Sequence, residues 1–224
     1  MSMDLRKLKT RKERVRKITA ALKKLYPNAK IALHYQNTWE LLVSVILSAQ
    51  CTDKMVNRVT EKLFQKYRTL DDYIHADPKI FAEDIKSTGF YRNKAKNILA
   101  AARLVREKFK DQVPGTMSEL LTLPGVARKT ANVILGNDFG VIEGIAVDTH
   151  VKRFARKFDL SDFTDPVKIE RDLMELFPRA EWFPLTYRLI EYGRTECPAR
   201  KHRCSDHPLT KIYPPAARSW PRAH

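Results

Sequence analysis

Lys129 and Asp148 are the residues of this 224-residue chain whose types and settings best fit catalysis. Lys129 follows Arg128 near the start of a predicted helix, where the positive end of the helix dipole and the neighbouring guanidinium disfavour an added positive charge. These surroundings favour the neutral amine, which can act as a nucleophile. Asp148 precedes Thr149 at the start of another predicted helix, so it can be a site carboxylate or simply an N-cap.

The segment from Leu123 to Ala131 predicts the tight hairpin that would position Lys129. It lies between a short predicted helix, Thr116 to Leu121, and the apolar run Val133 to Leu135. Backbone N–H groups at a helix N-terminus bind phosphate without reading the base sequence. The candidate phosphate-binding residues are Gly125, Val126, Ala127 and Arg128. The Pro-Gly pair alone also fits an ordinary turn between helices.

The rest of the chain predicts further helices and no β-strand. No glycine precedes Gly89, and apolar residues recur at spacings of three and four, beginning with Val15, Ile18, Leu22 and Leu25. Helix starts are predicted at Thr38, Thr52, Asp77-Pro78 and Asp165-Pro166. Since no segment shows period-two alternation, the predicted fold class is all-α.

Composition favours an intracellular protein that binds a polyanion. The net charge is +16, of which residues 1–24 carry +8 and residues 197–224 carry +5, so the contact is expected at the two ends. Solvated charge that only aids solubility is the alternative. No run approaches the roughly 18 apolar residues of a membrane span, and the N-terminus is too charged for a signal peptide, so a cytoplasmic location is expected. Three cysteines are too few for a disulfide framework.

Five segments together resemble the endonuclease III family of helix-hairpin-helix DNA glycosylases, over nearly the whole chain. They are Leu47-Ser48-Ala49-Gln50, Thr52-Asp53, Gly89-Phe90-Tyr91, Leu123 to Ala131 and Val147-Asp148-Thr149-His150. The resemblance implies a two-domain helical fold, with a central domain of residues 33–143, a second domain of residues 1–32 and 144–224, and a DNA-binding cleft between them. The family's catalytic lysine and aspartate fall on Lys129 and Asp148.

The activity implied by this resemblance is that of a bifunctional DNA glycosylase and AP lyase of base excision repair. Lys129 would attack the sugar C1′ and form a Schiff base, while Asp148 stabilises positive charge on the sugar. Gln50 and Phe90 would fill the space left by a flipped nucleotide, although each also fits a purely structural position. His150 would contact phosphate or pack. The implied partner is duplex DNA with oxidised or ring-saturated pyrimidines or abasic sites, bound by a monomer.

Lys129 distinguishes this hypothesis from two others. Adenine and mismatch-thymine glycosylases of similar type lack a lysine at this position, because water performs their attack. A non-catalytic DNA-binding protein would need the hairpin and the basic ends but neither Lys129 nor Asp148.

Two positions depart from the family pattern near these segments. Ala127 stands where the family most often has a glycine, and an alanine forced to positive φ would cost about 1 kcal/mol and loosen the phosphate contact. Cys51 follows Gln50, and we expect its thiol to be buried and inert.

The iron–sulphur cluster typical of the family is predicted to be absent. Its four cysteines have six, two and five residues between them; Cys197 and Cys204 keep the first spacing, but His207 and Tyr213 occupy the other positions. Such a cluster needs thiolate-rich ligation, so we expect no metal, with packing by residues such as Ile212, Tyr213 and Trp220 instead. The alternative is zinc bound by Cys197, Cys204, His207 and His202, which requires His202 to reach from a short basic loop.

Overall fold

A computed structural model describes residues 5–200 and 202–218, and within these ranges the chain forms helices and loops but no β-strand. The predicted all-α class is therefore confirmed. The α-helices are α1 (Leu5–Leu25), α2 (Thr38–Leu47), α3 (Asp53–Lys66), α4 (Leu70–Ile74), α5 (Pro78–Asp84), α6 (Tyr91–Phe109), α7 (Met117–Leu120), α8 (Arg128–Ile134), α9 (Thr149–Lys157), α10 (Pro166–Leu176), α11 (Arg179–Thr195) and α12 (Pro208–Ile212). Single 3₁₀ turns cover Lys86–Thr88 and Pro214–Ala217, and a π-helix, Leu135–Phe139, continues α8.

Side-chain caps determine where most of these helices begin. Thr52, Asp77 and Asp165 accept first-turn N–H groups of α3, α5 and α10, as their sequences predict. The prediction for α2 is wrong by one residue, because the Asn37 side chain accepts the Glu40 N–H and Thr38 is already helical. None of the helices that the structure describes is long and apolar enough to cross a membrane.

The chain divides into two compact units, one of residues 32–143 and one formed by the described parts of residues 1–31 and 144–224. In the first unit, residues 41–47 of α2 are buried on every face and include the fully buried Leu41, Leu42 and Leu47. A helix of this kind is stable only when other helices surround it. Helices α3, α6 and α8 pack against α2 and so enclose it.

The core of the second unit joins the two ends of the chain. Val15, Ile18 and Leu22 of α1 are buried together with apolar residues of α9, α10 and α11. Leu25, predicted to share that face, is exposed. This core also contains Cys197 and Cys204, which follow α11 in the chain.

Part of the basic N-terminal segment stabilises this second unit. Arg11 is fully buried, and its Nη2 lies 2.7 Å from an Asp159 carboxylate oxygen and 2.9 Å from one of Asp162. Arg14 donates to the carbonyl oxygens of Phe158 and Asp159, both at 2.7 Å. These guanidinium groups bind the loop after α9. Arg11 and Arg14 are therefore engaged within the protein, and the polyanion contact expected at this end stays a prediction for the other basic residues of the segment.

Candidate active site

The hairpin before α8 has its tightest point at Gly125. Gly125 has φ +83°, and a Cβ there would lie 3.0 Å from the Asn97 Cβ, so backbone conformation and limited space both favour glycine. Ala127 has φ −100° and ψ 171°, an extended conformation that any residue adopts. The strain expected at Ala127 therefore does not arise.

The hairpin contains one backbone N–H that is already hydrogen-bonded and, after it, a helix start without a side-chain cap. The Val126 N–H donates to the Leu123 carbonyl oxygen at 3.1 Å and closes the turn, so Val126 shapes the hairpin and its N–H does not face a ligand. Ala127 occupies the N-cap position of α8, and its side chain makes no capping hydrogen bond. Several other helices, such as α3, α5 and α10, have a side-chain acceptor at this position. The start of α8 can therefore accept an anion in place of a cap.

Lys129 lies in the first turn of α8 and is half-buried. Thr130 and Ala131, which follow it, are buried and fix the orientation of the helix. Lys129 therefore projects from a rigid helix start, next to the positive end of the helix dipole.

Asp148 is the N-cap of α9, and its Oδ1 accepts the Val151 N–H at 2.8 Å. The preceding residues Ile145, Ala146 and Val147 are buried, and the Thr186 hydroxyl donates to the Ala146 carbonyl oxygen at 3.0 Å. The structural role considered for Asp148 is thus confirmed. The cap engages Oδ1 and leaves Oδ2 of this half-buried carboxylate for a second role.

His150 is the second residue of α9 and is half-buried. Its Nδ1 is 3.4 Å from Arg153 Nη2, and a Cβ built on Gly193 of α11 would lie only 2.2 Å from that nitrogen. Close packing of α9 on α11 therefore holds the imidazole in place. The packing role considered for His150 is thus observed.

Gln50 and Phe90 share an uncommon backbone conformation. Both have left-handed φ values, 54° and 48°, which non-glycine residues adopt only at some cost in energy. Both are exposed, and Phe90 retains 64% of its accessible surface, so it is not a core aromatic. Cys51, expected to be buried, is a half-buried free thiol.

Lys94 links the loop that carries Gln50 to the loop that carries Phe90. The sequence patterns did not predict this role. It is 5% exposed, and its Nζ donates to the carbonyl oxygens of Leu47 and Thr88, each at 2.8 Å. Burial lowers the pKa of Lys94. The only signal in the sequence is a lysine within the buried stripe of α6, beside Ala95 and four residues before Ile98.

A second constellation lies after α11, in the same unit as Asp148 and His150. The ligand atoms of Cys197, His202, Cys204 and His207 all lie within 4.8 Å of one another, so this Cys/His group could bind a metal ion. His202 Nε2 is 3.3 Å from the Cys204 Sγ, so the short basic loop does bring His202 within reach. Burial raises the pKa of the Cys197 thiol to about 12 and lowers that of His207.

Packing around this constellation agrees only in part with expectation. Ile212 and Tyr213 pack against the core, and the Tyr213 ring lies under the Arg14 guanidinium at 3.9 Å. Trp220, the third residue expected there, lies outside the described residues.

The lysine at the start of the helix after a glycine hairpin, and the aspartate that caps a later helix, are the features by which this all-α chain resembles the helix-hairpin-helix DNA glycosylases that carry a catalytic lysine. Residues 43–179 match the family described as "HhH-GPD superfamily base excision DNA repair protein". Endonuclease III of Synechocystis sp. is 50% identical over 98% of this chain and all of that relative. Endonuclease III of Bacillus subtilis is 44% identical over 84% of this chain and 86% of its own length.

Solved structures agree with these relatives. A non-covalent endonuclease III–DNA complex has a TM-score of 0.87 and 40% identity, covering 92% of this chain and 97% of its own. A trapped endonuclease III–DNA covalent intermediate has a TM-score of 0.85 and 42% identity, with coverages of 90% and 94%. The chain belongs to the endonuclease III family. Its fold and its predicted enzyme class, a DNA-binding glycosylase and AP lyase of base excision repair, are thereby confirmed.

Proposed function

We propose that this enzyme removes oxidised or ring-saturated pyrimidines from duplex DNA and cleaves the strand 3′ to the resulting abasic site, with Lys129 as nucleophile. The observation that carries the proposal is the placement of Lys129 in the first turn of a helix without a side-chain cap, directly after the Gly125 hairpin. The similar structure of a trapped covalent endonuclease III–DNA intermediate supports covalent attack.

The chemistry uses one amine for two bond cleavages. The neutral Lys129 amine attacks the sugar C1′, the bond from C1′ to the base breaks, and the base leaves with a proton. Loss of the amine proton and opening of the sugar ring give a Schiff base between C1′ and Nζ. A proton is then removed from C2′, and the C3′–O bond to the phosphate breaks by β-elimination. Water finally hydrolyses the C1′–Nζ imine and releases the Lys129 amine and the sugar aldehyde.

Asp148 supplies the negative charge that stabilises positive charge developing on the sugar. Its cap to Val151 fixes the direction of the carboxylate, so that Oδ2 can perform this task without reorganisation. We assign no covalent role to Asp148.

Gln50 and Phe90 act on the duplex from which the nucleotide has been removed. Flipping a nucleotide costs a few kcal/mol, and side chains that enter the vacated space offset part of this cost. Phe90 would be the apolar wedge and Gln50 the polar group that faces the unpaired base. Their shared left-handed conformation and exposure support this assignment.

DNA is held by its phosphates. We assign phosphate contacts to Gly125, Ala127, Arg128 and His150, and we propose that Val126 contributes through the shape of the hairpin. These contacts position the strand and carry no sequence information. We further propose that the enzyme acts as a monomer on chromosomal DNA in the cytoplasm.

We also propose that the protein carries no iron–sulphur cluster. Only two of the four family cysteine positions are cysteines here, and the fourth, Tyr213, places its ring under Arg14. The residues therefore do not fit a cluster that requires thiolate-rich ligation.

Borohydride trapping on an abasic-site duplex tests the role of Lys129. The unaltered chain should form a covalent protein–DNA adduct, and Lys129→Ala should abolish both the adduct and strand cleavage while it retains lesion binding. Lys96→Ala, which removes an exposed lysine of α6, is the matched control and should trap normally. An adduct that persists in Lys129→Ala would assign the attack to another amine.

A further inference from the structure

We propose that Cys197, His202, Cys204 and His207 bind one Zn²⁺ ion at the place where the family carries an iron–sulphur cluster. Two sulphur and two imidazole ligands are a common donor set for structural zinc. Zinc–sulphur and zinc–nitrogen bonds of about 2.3 and 2.0 Å in a tetrahedron place the ligand atoms roughly 3.3–3.8 Å apart.

The three separations measured from the Cys204 Sγ agree with this tetrahedron. The two Sγ atoms are 3.5 Å apart, and the Cys204 Sγ lies 3.3 Å from His202 Nε2 and 3.6 Å from His207 Nδ1. All four ligand atoms converge within 4.8 Å. A single ion fits at the centre of such a set. A four-iron cluster does not, because each of its cysteines binds a different iron of a group several ångströms wide.

The zinc ligands also differ in sequence from those of the family cluster. Three of them, Cys197, Cys204 and His207, stand at family cluster positions, and the fourth, His202, does not. Tyr213 stands at the remaining family position but is placed below the Arg14 guanidinium instead. The proposed zinc site therefore uses a different set of four residues from the family cluster.

Charge balance favours a divalent ion in this buried place. The side chains of Cys197 and Cys204 belong to the core, where unpaired thiolates would carry a large desolvation cost. Two thiolates, two neutral imidazoles and one Zn²⁺ sum to zero charge. A site with zero net charge does not repel the two cations nearby. These are the buried Lys157 and Arg153, whose Nη1 donates to the Cys197 carbonyl oxygen at 2.6 Å.

The hydrogen bond from Arg153 to the Cys197 carbonyl oxygen indicates which helix the ion would stabilise. Arg153 belongs to α9, the helix that Asp148 caps, and Cys197 begins the zinc-binding segment. Zinc would therefore hold its four ligands in place and support α9 through Arg153. An effect on base excision rests on the proposed role of Asp148, whereas metal content and stability do not.

Metal analysis of the purified full chain, produced in medium containing both iron and zinc, tests the site directly. We expect about one zinc per chain, little iron and a colourless protein. Replacement by Co²⁺ should give the visible absorption bands of tetrahedral thiolate coordination. Stoichiometric iron with a brown colour overturns the proposal. Absence of both metals, or a mass lower by two hydrogens from a Cys197–Cys204 disulfide, also overturns it.

Variants then identify the ligands. His202→Ala should lower zinc affinity by about 10-fold or more and lower the thermal midpoint in the presence of a chelator. His34→Ala removes an exposed histidine of the other unit and should leave zinc content unchanged. Full zinc retention in His202→Ala would exclude that ligand and with it the proposed four-residue site. If zinc binds as expected but Lys129→Ala still traps DNA, only the proposed catalytic function fails.

Discussion

Single residues of this protein combine a structural and a chemical role, and Asp148 is the clearest case. Its Oδ1 caps α9, as an aspartate before a threonine ordinarily does, while the proposed mechanism uses the charge of the same carboxylate. A cap requires only an acceptor oxygen, but charge stabilisation requires the carboxylate. The two roles can therefore be separated by substitution.

Asp148→Asn should slow base removal by roughly 10² or more and leave the thermal midpoint almost unchanged. Asparagine is as good an N-cap as aspartate, so the fold is retained while the charge is lost. Single-turnover excision rates and thermal unfolding of the same preparations measure the two effects. An excision rate near that of the unaltered chain would leave Asp148 with its capping role alone.

A substitution at Phe90 can likewise separate an effect on stability from an effect on excision. Phe90→Gly removes the exposed ring and also the cost of a left-handed φ at a non-glycine residue, so stability should be unchanged or rise by up to about 1 kcal/mol. Excision from duplex DNA should nevertheless fall, because the wedge is gone. Cleavage of a single-stranded abasic site serves as the control, since no vacated space needs filling there. Unaltered duplex activity would contradict the wedge.

At the scale of helices and loops, Lys94 is the connection that sequence patterns did not reveal. Its Nζ binds the carbonyl oxygens at the ends of α2 and of the 3₁₀ turn Lys86–Thr88, after which the chain reaches Gln50 and Phe90. Both loops depend on one buried ammonium group. The positions of the two side chains are therefore coupled.

Lys94→Met should destabilise the protein by about 1–3 kcal/mol, because it leaves two carbonyl oxygens without their donor. The catalytic defect should exceed that of Gln50→Ala or Phe90→Ala alone on duplex DNA, since both loops lose their support. Chemical denaturation and single-turnover excision below the unfolding transition measure these effects. Normal excision in a folded Lys94→Met protein would exclude a positioning role.

These elements show what the sequence could predict and what it could not. Caps and apolar spacing are local, so Thr52, Asp77 and Asp165 located helix starts correctly, and the hairpin located Lys129. Lys94 contacts a carbonyl 47 positions away, which no local pattern records. The reach of His202 depends on the path of a short loop between the buried Cys197 and Cys204, and local patterns do not record that path.

At the scale of the whole molecule, the net charge of +16 does not translate directly into DNA contacts. On α1, Arg11 and Arg14 bind the loop after α9, Lys7 pairs with Asp162, and Lys23 pairs with Glu181. Removing the first dozen residues would therefore destabilise the second unit as well as reduce charge. A test of electrostatic binding must change the exposed cations and leave Arg11 in place.

Replacing Lys9, Lys12, Arg16 and Lys17 by glutamine removes four positive charges from exposed positions of α1. If α1 binds the DNA backbone, the log–log dependence of affinity on salt should flatten by about 0.9 for each phosphate that α1 no longer neutralises. The thermal midpoint should change little, because the buried pairs of Arg11 are retained.

A matched variant distinguishes direct phosphate binding by α1 from a general effect of net charge. Replacing Lys62, Lys79, Arg103 and Lys108 by glutamine removes the same charge from exposed positions of residues 32–143. Long-range attraction by net charge alone would flatten both salt dependences equally, whereas direct phosphate binding by α1 would flatten only the first. Equal slopes for the α1 variant and the unaltered chain would mean that α1 faces away from the bound DNA, and the hairpin and its neighbours would then hold the phosphates.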